Sequence, residues 1–331
     1  MKTWVETIPH VISRGKITPT VPEDEKIHPL SYYFLDRAEA EKADVVIFGV
    51  PYDGALPPQW EVSTRLGPQA IRKQLGAFRT YSHDLKIDIS SVLKIVDVGD
   101  LDVVYNTPEV LKRIETVVSE ILKKKKMPIM FGGDHTNTYG GIKGLCSQTK
   151  GDVGVISFDA HLDLMEIYHG DPWYDGCPFR RVLEIGGVKP KNLVCIGPRG
   201  FVNPFESGWK FVEEVGVNVF TVEDIDQQGI VSVVEKAIDL AKDGTEAVYL
   251  SVDIDALDSA SAPGHAWPCP GGLTNRELLK AVRMISLAGV SAFDVMEVGT
   301  QNDPAGATAL MGAALTMEIM GGLAKIRQRT G

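Results

Sequence analysis

Eight short apolar runs punctuate this chain, and between them the apolar spacing switches to a helical period. The runs span 43–50, 92–96, 128–131, 153–158, 192–196, 217–220, 247–252 and 292–297. Each is short enough for a buried strand. Between them, segment 108–124 carries Val110, Leu111, Ile114, Val117, Val118, Ile121 and Leu122 at helical spacing. Thr274-Asn-Arg-Glu277 has the capping-box pattern that opens a helix. Segment 305–326 is rich in Ala, Leu and Met and reads as a final buried helix. Strands alternating with helices predict an α/β fold, a parallel sheet covered by helices on both faces. No repeat, low-complexity tract or linker interrupts the pattern. The expectation is one domain over residues 41–331. Residues 1–40, rich in Pro and charge, precede it as an arm.

Three of the runs end in acids and imidazoles. They lead into Phe131-Gly-Gly-Asp134-His135, Ser157-Phe-Asp159-Ala-His161-Leu-Asp163 and Ser251-Val-Asp253-Ile-Asp255. A lone His after a Gly-Gly turn is more often a satisfied turn residue, and a lone Asp-x-Asp is a weak signal. Their joint occurrence at three strand ends is different. Open parallel sheets bind ligands beyond the carboxyl ends of their strands. Carboxylates packed together resist ionisation, and divalent cations remove that cost. The alternation in 159–163 and in 253–255 predicts that the ligand side chains share one face if the backbone stays extended.

Bulk composition narrows the partners. The formal net charge is 34 − 44 = −10, which argues against nucleic acid, because no basic field exists to replace phosphate counterions. It suits a cationic small molecule. No apolar stretch reads as long enough to span a membrane. Met1-Lys-Thr-Trp-Val-Glu lacks the apolar core of a secretory leader. The four cysteines have no CxxC pair, which suits free thiols and a cytoplasmic setting. The basic run Lys123–Lys126 reads as a solvated helix end.

The motifs together resemble the ureohydrolase superfamily, the arginases and agmatinases, and more the agmatinase branch. The likeness runs from about Val46 to the C-terminus. It includes Gly49-Val-Pro-Tyr-Asp53, Arg65-Leu-Gly-Pro-Gln-Ala-Ile-Arg72, Asp97-Val-Gly-Asp100, the three acidic motifs, Cys177-Pro-Phe-Arg-Arg181, Ala262-Pro-Gly264 and Met296-Glu-Val298. The resemblance implies a three-layer α/β/α fold on an eight-stranded parallel sheet. It implies hydrolysis of a guanidino group to urea and an amine with two divalent ions, manganese or alternatively nickel. It implies a homo-oligomer, a trimer or hexamer. By the same resemblance the first ion would be held by His135, Asp159, Asp163 and Asp253. The second would be held by His161, Asp159, Asp253 and Asp255. Asp163 would hold the attacking water and pass a proton to the leaving nitrogen, and Glu297 would pair with the substrate guanidinium.

The chain departs from that pattern around the pocket. Where agmatinase-like members carry a proton-handling His, an ungapped count places Asp175, with His169 nearby as a possible substitute. An Arg of the first loop is replaced by Glu61, and a Thr-Gly-Thr-Pro segment by His265-Ala-Trp267-Pro268. Both charge changes make the pocket more acidic, and Trp267 adds an aromatic face that favours cations. Asp163, Asp175 and Glu297 are thus the expected catalytic residues. Glu297, Asp175, Trp267 and Glu61 are the expected substrate contacts. The expected substrate is agmatine-like, a guanidine, an alkylguanidine or a biguanide such as metformin. The alternative is a weakly active metal-holding subunit that works in a hetero-oligomer with a related chain.

Overall fold

The computed structural model describes residues 4, 9–12, 28–55, 63–201 and 206–330. In chain order the elements are β1 (Val11–Ile12), β2 (Val45–Gly49), α1 (Gly67–Leu75), β3 (Tyr81–Ser82), β4 (Ile87–Asp88), α2 (Ile89–Val92) and β5 (Ile95–Leu101). Then come α3 (Thr107–Lys123), β6 (Met127–Phe131), α4 (Asn137–Cys146), β7 (Asp152–Phe158), α5 (Pro178–Leu183), β8 (Leu193–Ile196), α6 (Glu206–Val215) and β9 (Asn218–Phe220). The chain closes with α7 (Val222–Gln228), α8 (Ile230–Lys242), β10 (Thr245–Asp253), α9 (Asn275–Ala288), β11 (Ala292–Met296) and α10 (Ala307–Thr330).

The main sheet has the order β1-β5-β2-β6-β11-β10-β7-β8-β9. Eight of these strands are mutually parallel and correspond to the eight apolar runs. The sheet is nine-stranded rather than eight-stranded because β1, from the arm, pairs antiparallel with Asp100 and Leu101 and covers the β5 edge. Most of the remaining arm lies outside the described residues. The 92–96 run also differs from expectation. The Asp88 carboxylate accepts the Ser90 N–H at 3.1 Å and caps a helical turn that includes Val92, so β5 begins at Ile95 and continues to Leu101.

Strand β2 shows how the layers form. Val45 and Ile47 point into a core shared with α1, α8, α9 and α10. Val46 and Phe48 point the other way, into a core shared with α3. Farther along the same face, β7 and β10 pack against α4, α5 and α6. Period-two alternation therefore feeds two helical layers, and every β2 residue is buried. The capping expectation holds: Thr274 and Glu277 cap α9 reciprocally. Lys126 corrects the reading of the basic run. It is buried, and its Nζ donates to the carbonyls of Glu41 and Ala43 at 2.9 and 2.6 Å.

Helix α10 corrects another expectation. An 18-residue window within it has mean hydropathy 1.4, enough by length and composition for a membrane span. That window is 67% buried inside the fold, where α10 packs on α9 and α1. Its apolar character thus has an internal partner.

One ion network ties α1 to the sheet. Arg72 donates to Asp97 Oδ2 at 2.6 Å, Asp97 Oδ1 at 3.0 Å, the Gly99 carbonyl at 2.9 Å, and Asp100 Oδ1. The Asp100 side chain is 3% exposed. Removing one partner of a buried ion pair strands the other charge, at a cost of about 3–5 kcal/mol. Arg72→Met should therefore lower the thermal midpoint clearly in differential scanning fluorimetry, and an unchanged midpoint would show the network to be dispensable.

Candidate metal centre

Four adjacent strands, β6-β11-β10-β7, occupy the middle of the sheet. Their carboxyl ends deliver His135, Glu297, Asp253 with Asp255, and Asp159 with His161 and Asp163. Residues more than a hundred positions apart meet there because the strands are neighbours in register, Asp253 lying opposite Met296 and Val252 opposite Phe158. The turn after β6 needs Gly133. A side chain there would overlap the Tyr52 carbonyl, which accepts the Asp134 N–H at 3.0 Å.

The ligand side chains do converge, but not through extended backbone. Asp163 has φ 50° and Glu297 has φ 61°, both in the left-handed region that side chains other than Gly, Asn and Asp seldom occupy. Residues 254–256 form a single helical turn rather than a continued strand.

His135 Nδ1 lies 3.1 Å from Asp159 Oδ2, 2.8 Å from Asp163 Oδ2 and 3.3 Å from Asp253 Oδ2. His161 Nδ1 lies 3.2 Å from Asp159 Oδ1 and 3.0 Å from Asp255 Oδ2. Two groups suited to a metal ion result: His135, Asp159 and Asp253, and Asp159, His161 and Asp255. Asp159 offers one oxygen to each. Asp253 stands in the first group, and its other oxygen accepts the Asp255 N–H at 2.9 Å.

The residues fit a pair of divalent cations on two observations. His135 Nδ1 and Asp159 Oδ2 are buried without a hydrogen-bond partner although they face other polar atoms at about 3 Å. Ligands about 2.1 Å from one ion sit about 3 Å apart at right angles, which is this spacing. The second observation is how the carboxylates are held. Asp159 Oδ1 accepts the His161 N–H at 2.6 Å, Asp255 Oδ1 the Ala160 N–H at 2.9 Å, and Glu297 Oε1 the His135 N–H at 2.7 Å. Together with Asp253, each of the four fixes one oxygen on the backbone.

Crowding shows in the acidities. Burial, reinforced by Asp159, pushes Asp163 up to about 7. Burial, reinforced by Asp163, pushes Asp175 up to about 8. Asp253 and Glu297 lie well above the usual carboxyl range, first from burial, then from Asp255 and Asp175 respectively. Burial would also raise Asp255, but His161 pulls it below its ordinary value. His135 and His161 are raised by Asp159, Asp163 and Asp255 against the lowering effect of burial. The protein's own charges leave this cluster short of positive charge.

The centre opens into a cavity of about 100 Å³. Asp163, Asp175, Trp267 and Glu297 all line it. Asp175 is buried, accepts a hydrogen bond from Trp267, and keeps Oδ1 unpartnered. The Trp267 ring meets His161 edge-on at 6.5 Å. Glu297 Oε2 is likewise buried and unpartnered. Glu61 lies outside the described residues. His169 is exposed on a turn and does not line the cavity. Sequence reasoning missed Tyr168 and Tyr174, which stack at 4.3 Å in the cavity wall. It also passed over the ring of His265, 2% exposed, with neither nitrogen hydrogen-bonded.

Residues 43–322 match the Arginase family. Formimidoylglutamase of Halalkalibacterium halodurans is 37% identical over 235 residues, covering 70% of this chain and 72% of that one. Proclavaminate amidinohydrolase of Streptomyces clavuligerus is 32% identical over 278 residues, covering 84% and 87%. The crystal structure of Trypanosoma cruzi formiminoglutamase with Mn²⁺ superposes with a TM-score of 0.82 at 25% identity, covering 90% of this chain and 98% of that one. Geometry, sequence and fold agree, and the chain belongs to the arginase family of hydrolases, which act on C–N bonds in linear amidines.

Proposed function

We propose that this chain hydrolyses a guanidino C–N bond to urea and an amine with two divalent ions, and that its substrate is a compact cation lacking a carboxylate. The observation that carries the reading is Asp159, one oxygen in each ligand group, a short step from the free Glu297 oxygen in the same cavity. In this reading His135, Asp159, Asp163 and Asp253 hold one ion, and His161, Asp159 and Asp255 hold the other, with manganese the metal. The ions would supply Lewis acidity and a water acidic enough to attack near neutral pH. Glu297 Oε2 pairs with the planar guanidinium, which suits carboxylate recognition. Asp163 orients the attacking water and hands a proton to the leaving nitrogen. Asp175 binds the far end of the cation.

The substrate class follows from what lines the cavity. Five acids face it, with Tyr168, Tyr174 and Trp267, and no Lys or Arg does so among the described residues. Among the described residues, amidines ending in a carboxylate, arginine included, find no basic partner in the lining, whereas alkylated cations find aromatic faces. A second reading, a chain needing a related partner subunit for turnover, draws on one observation. Among the described lining residues no histidine lies outside the two ligand groups, so no spare imidazole is there to move a proton.

Elemental analysis of Mn²⁺-loaded protein should approach two ions per chain, and Asp159→Asn should lose most of both. Full occupancy in that variant overturns the shared-ligand assignment.

Glu297→Gln should keep its metal but lose about ten- to a hundredfold in kcat/KM, since a hydrogen bond to a charged group contributes about 1.5–3 kcal/mol. Unchanged kinetics on every substrate turned over by the parent would remove Glu297 as the guanidinium anchor.

Urea release by the chain alone, over agmatine, guanidinobutyrate, guanidine, dimethylguanidine and metformin with Mn²⁺ and Ni²⁺ in parallel, tests the function itself. The expected outcome is turnover of a cation and none of guanidinobutyrate. Asp175→Asn should raise KM for the preferred cation, and Asp175→His should shift preference toward agmatine. No release on any substrate, restored by a related chain, establishes the second reading.

A further inference from the structure

Behind His135, on the side away from the other ligands, lies a buried polar chain that none of the roles above uses. Ser251 Oγ is 3.1 Å from His135 Nε2 and donates to Asp294 Oδ1 at 2.6 Å. Asp294 Oδ2 accepts from the Tyr249 hydroxyl at 2.7 Å and from Thr138 Oγ1 at 3.0 Å. Ser251, Asp294 and Thr138 are 0% exposed and Tyr249 is 1% exposed. Ser251 on β10 and Asp294 on β11 are register partners in the sheet. Gly141 on α4 leaves room for the Tyr249 hydroxyl, where a side chain would collide with it. An acid this deep is a cost unless its lone pairs are satisfied, and here three hydroxyls satisfy them.

Proton counting gives the chain a direction. A hydroxyl has one proton. The Ser251 proton goes to Asp294 in the shortest bond of the set, and the Thr138 proton goes to Asp294 as well. Thr138 Oγ1, 3.2 Å from Ser251 Oγ, thus has no proton left for it. Ser251 Oγ is left as an acceptor only, and the neighbour with a proton for it is His135 Nε2. An imidazole protonated at Nε2 carries its lone pair on Nδ1, the atom facing Asp159, Asp163 and Asp253 without a hydrogen bond. No such support stands behind His161, whose buried Nε2 has no partner.

We propose that Ser251 and Asp294 act as a positioning pair that holds His135 in the Nε2–H tautomer and so sets the affinity of one of the two metal positions. The inference rests on the metal reading above. Partners behind a metal-bound histidine orient the ring and raise its basicity, and their loss typically costs 10- to 100-fold in metal affinity. Neither residue reaches the cavity, so their effect passes through His135.

The test is calorimetric titration of Mn²⁺ into the EDTA-treated parent, Ser251→Ala and Asp294→Asn, with thermal midpoints recorded with and without Mn²⁺. Both variants should bind one ion 10- to 100-fold more weakly and the other with parental affinity, and should gain less midpoint on adding Mn²⁺. Parental affinity at both positions in a folded Ser251→Ala overturns the pair's role. Equal weakening at both positions does so too, because it marks general damage to the core. Failure of the parent itself to bind Mn²⁺ sinks the metal reading instead. Should both variants fail to fold, ¹⁵N-histidine spectra of the Zn²⁺-loaded parent decide, with His135 assigned by its loss in His135→Gln. A proton on Nε2 is expected, and an unprotonated Nε2 overturns the proposal.

Discussion

Burying carboxylates beside one another at the end of a sheet is the constraint on which this structure turns. Asp159, Asp163, Asp253 and Asp255 gather around two imidazoles with Glu297 and Asp175 close behind, and burial penalises the charged form of every one. A flexible loop would let such groups drift apart into water. Here they are fastened to the ends of four neighbouring parallel strands, with helices closing both faces of the sheet. The repulsion is therefore contained by the whole core. Asp159, Asp253, Asp255 and Glu297 each have one oxygen held by a backbone N–H, so the backbone sets the direction of the charge as well as its position.

Two positions show what that arrangement demands locally. Asp163 and Glu297 both adopt left-handed backbone, a conformation Asp tolerates but one that costs about 1–3 kcal/mol for a residue such as Glu297. The surrounding turns hold them there through main-chain bonds, Phe179 N–H to the Asp163 carbonyl at 3.0 Å and Glu297 N–H to the Gly133 carbonyl at 2.9 Å. The strain turns each carboxylate out of the strand direction and over the centre.

Most of the sheet was legible in the sequence because strands buried on both faces must be apolar throughout, and eight such runs became the eight parallel strands. The three acidic motifs were legible because charge at the end of an apolar run has no packing explanation. What stayed hidden were features decided by tertiary geometry. Periodicity cannot report that Asp163 reaches the centre through a left-handed turn, or that Lys126 turns inward to meet two carbonyls. Ser251 and Asp294 were hidden differently. Each is a polar residue flanked by apolar ones inside a strand run, in Leu-Ser-Val and Phe-Asp-Val. A polar residue in a strand covered on both faces needs a buried partner, and that was the signal available.

The lining of the cavity also bears on how a reaction there would end. Guanidino cleavage yields neutral urea and an amine that takes up a proton in water. Acids and aromatic rings attract an ammonium ion much as they attract a guanidinium, and binding that does not distinguish the two lowers KM without speeding the chemistry. Urea would leave unhindered, while the amine would linger against Asp175 and Trp267 until another cation or a proton displaced it. The same walls that would recruit a cationic substrate would make its charged product a competitor, and the pace of such a cycle would then pass from bond breaking to departure.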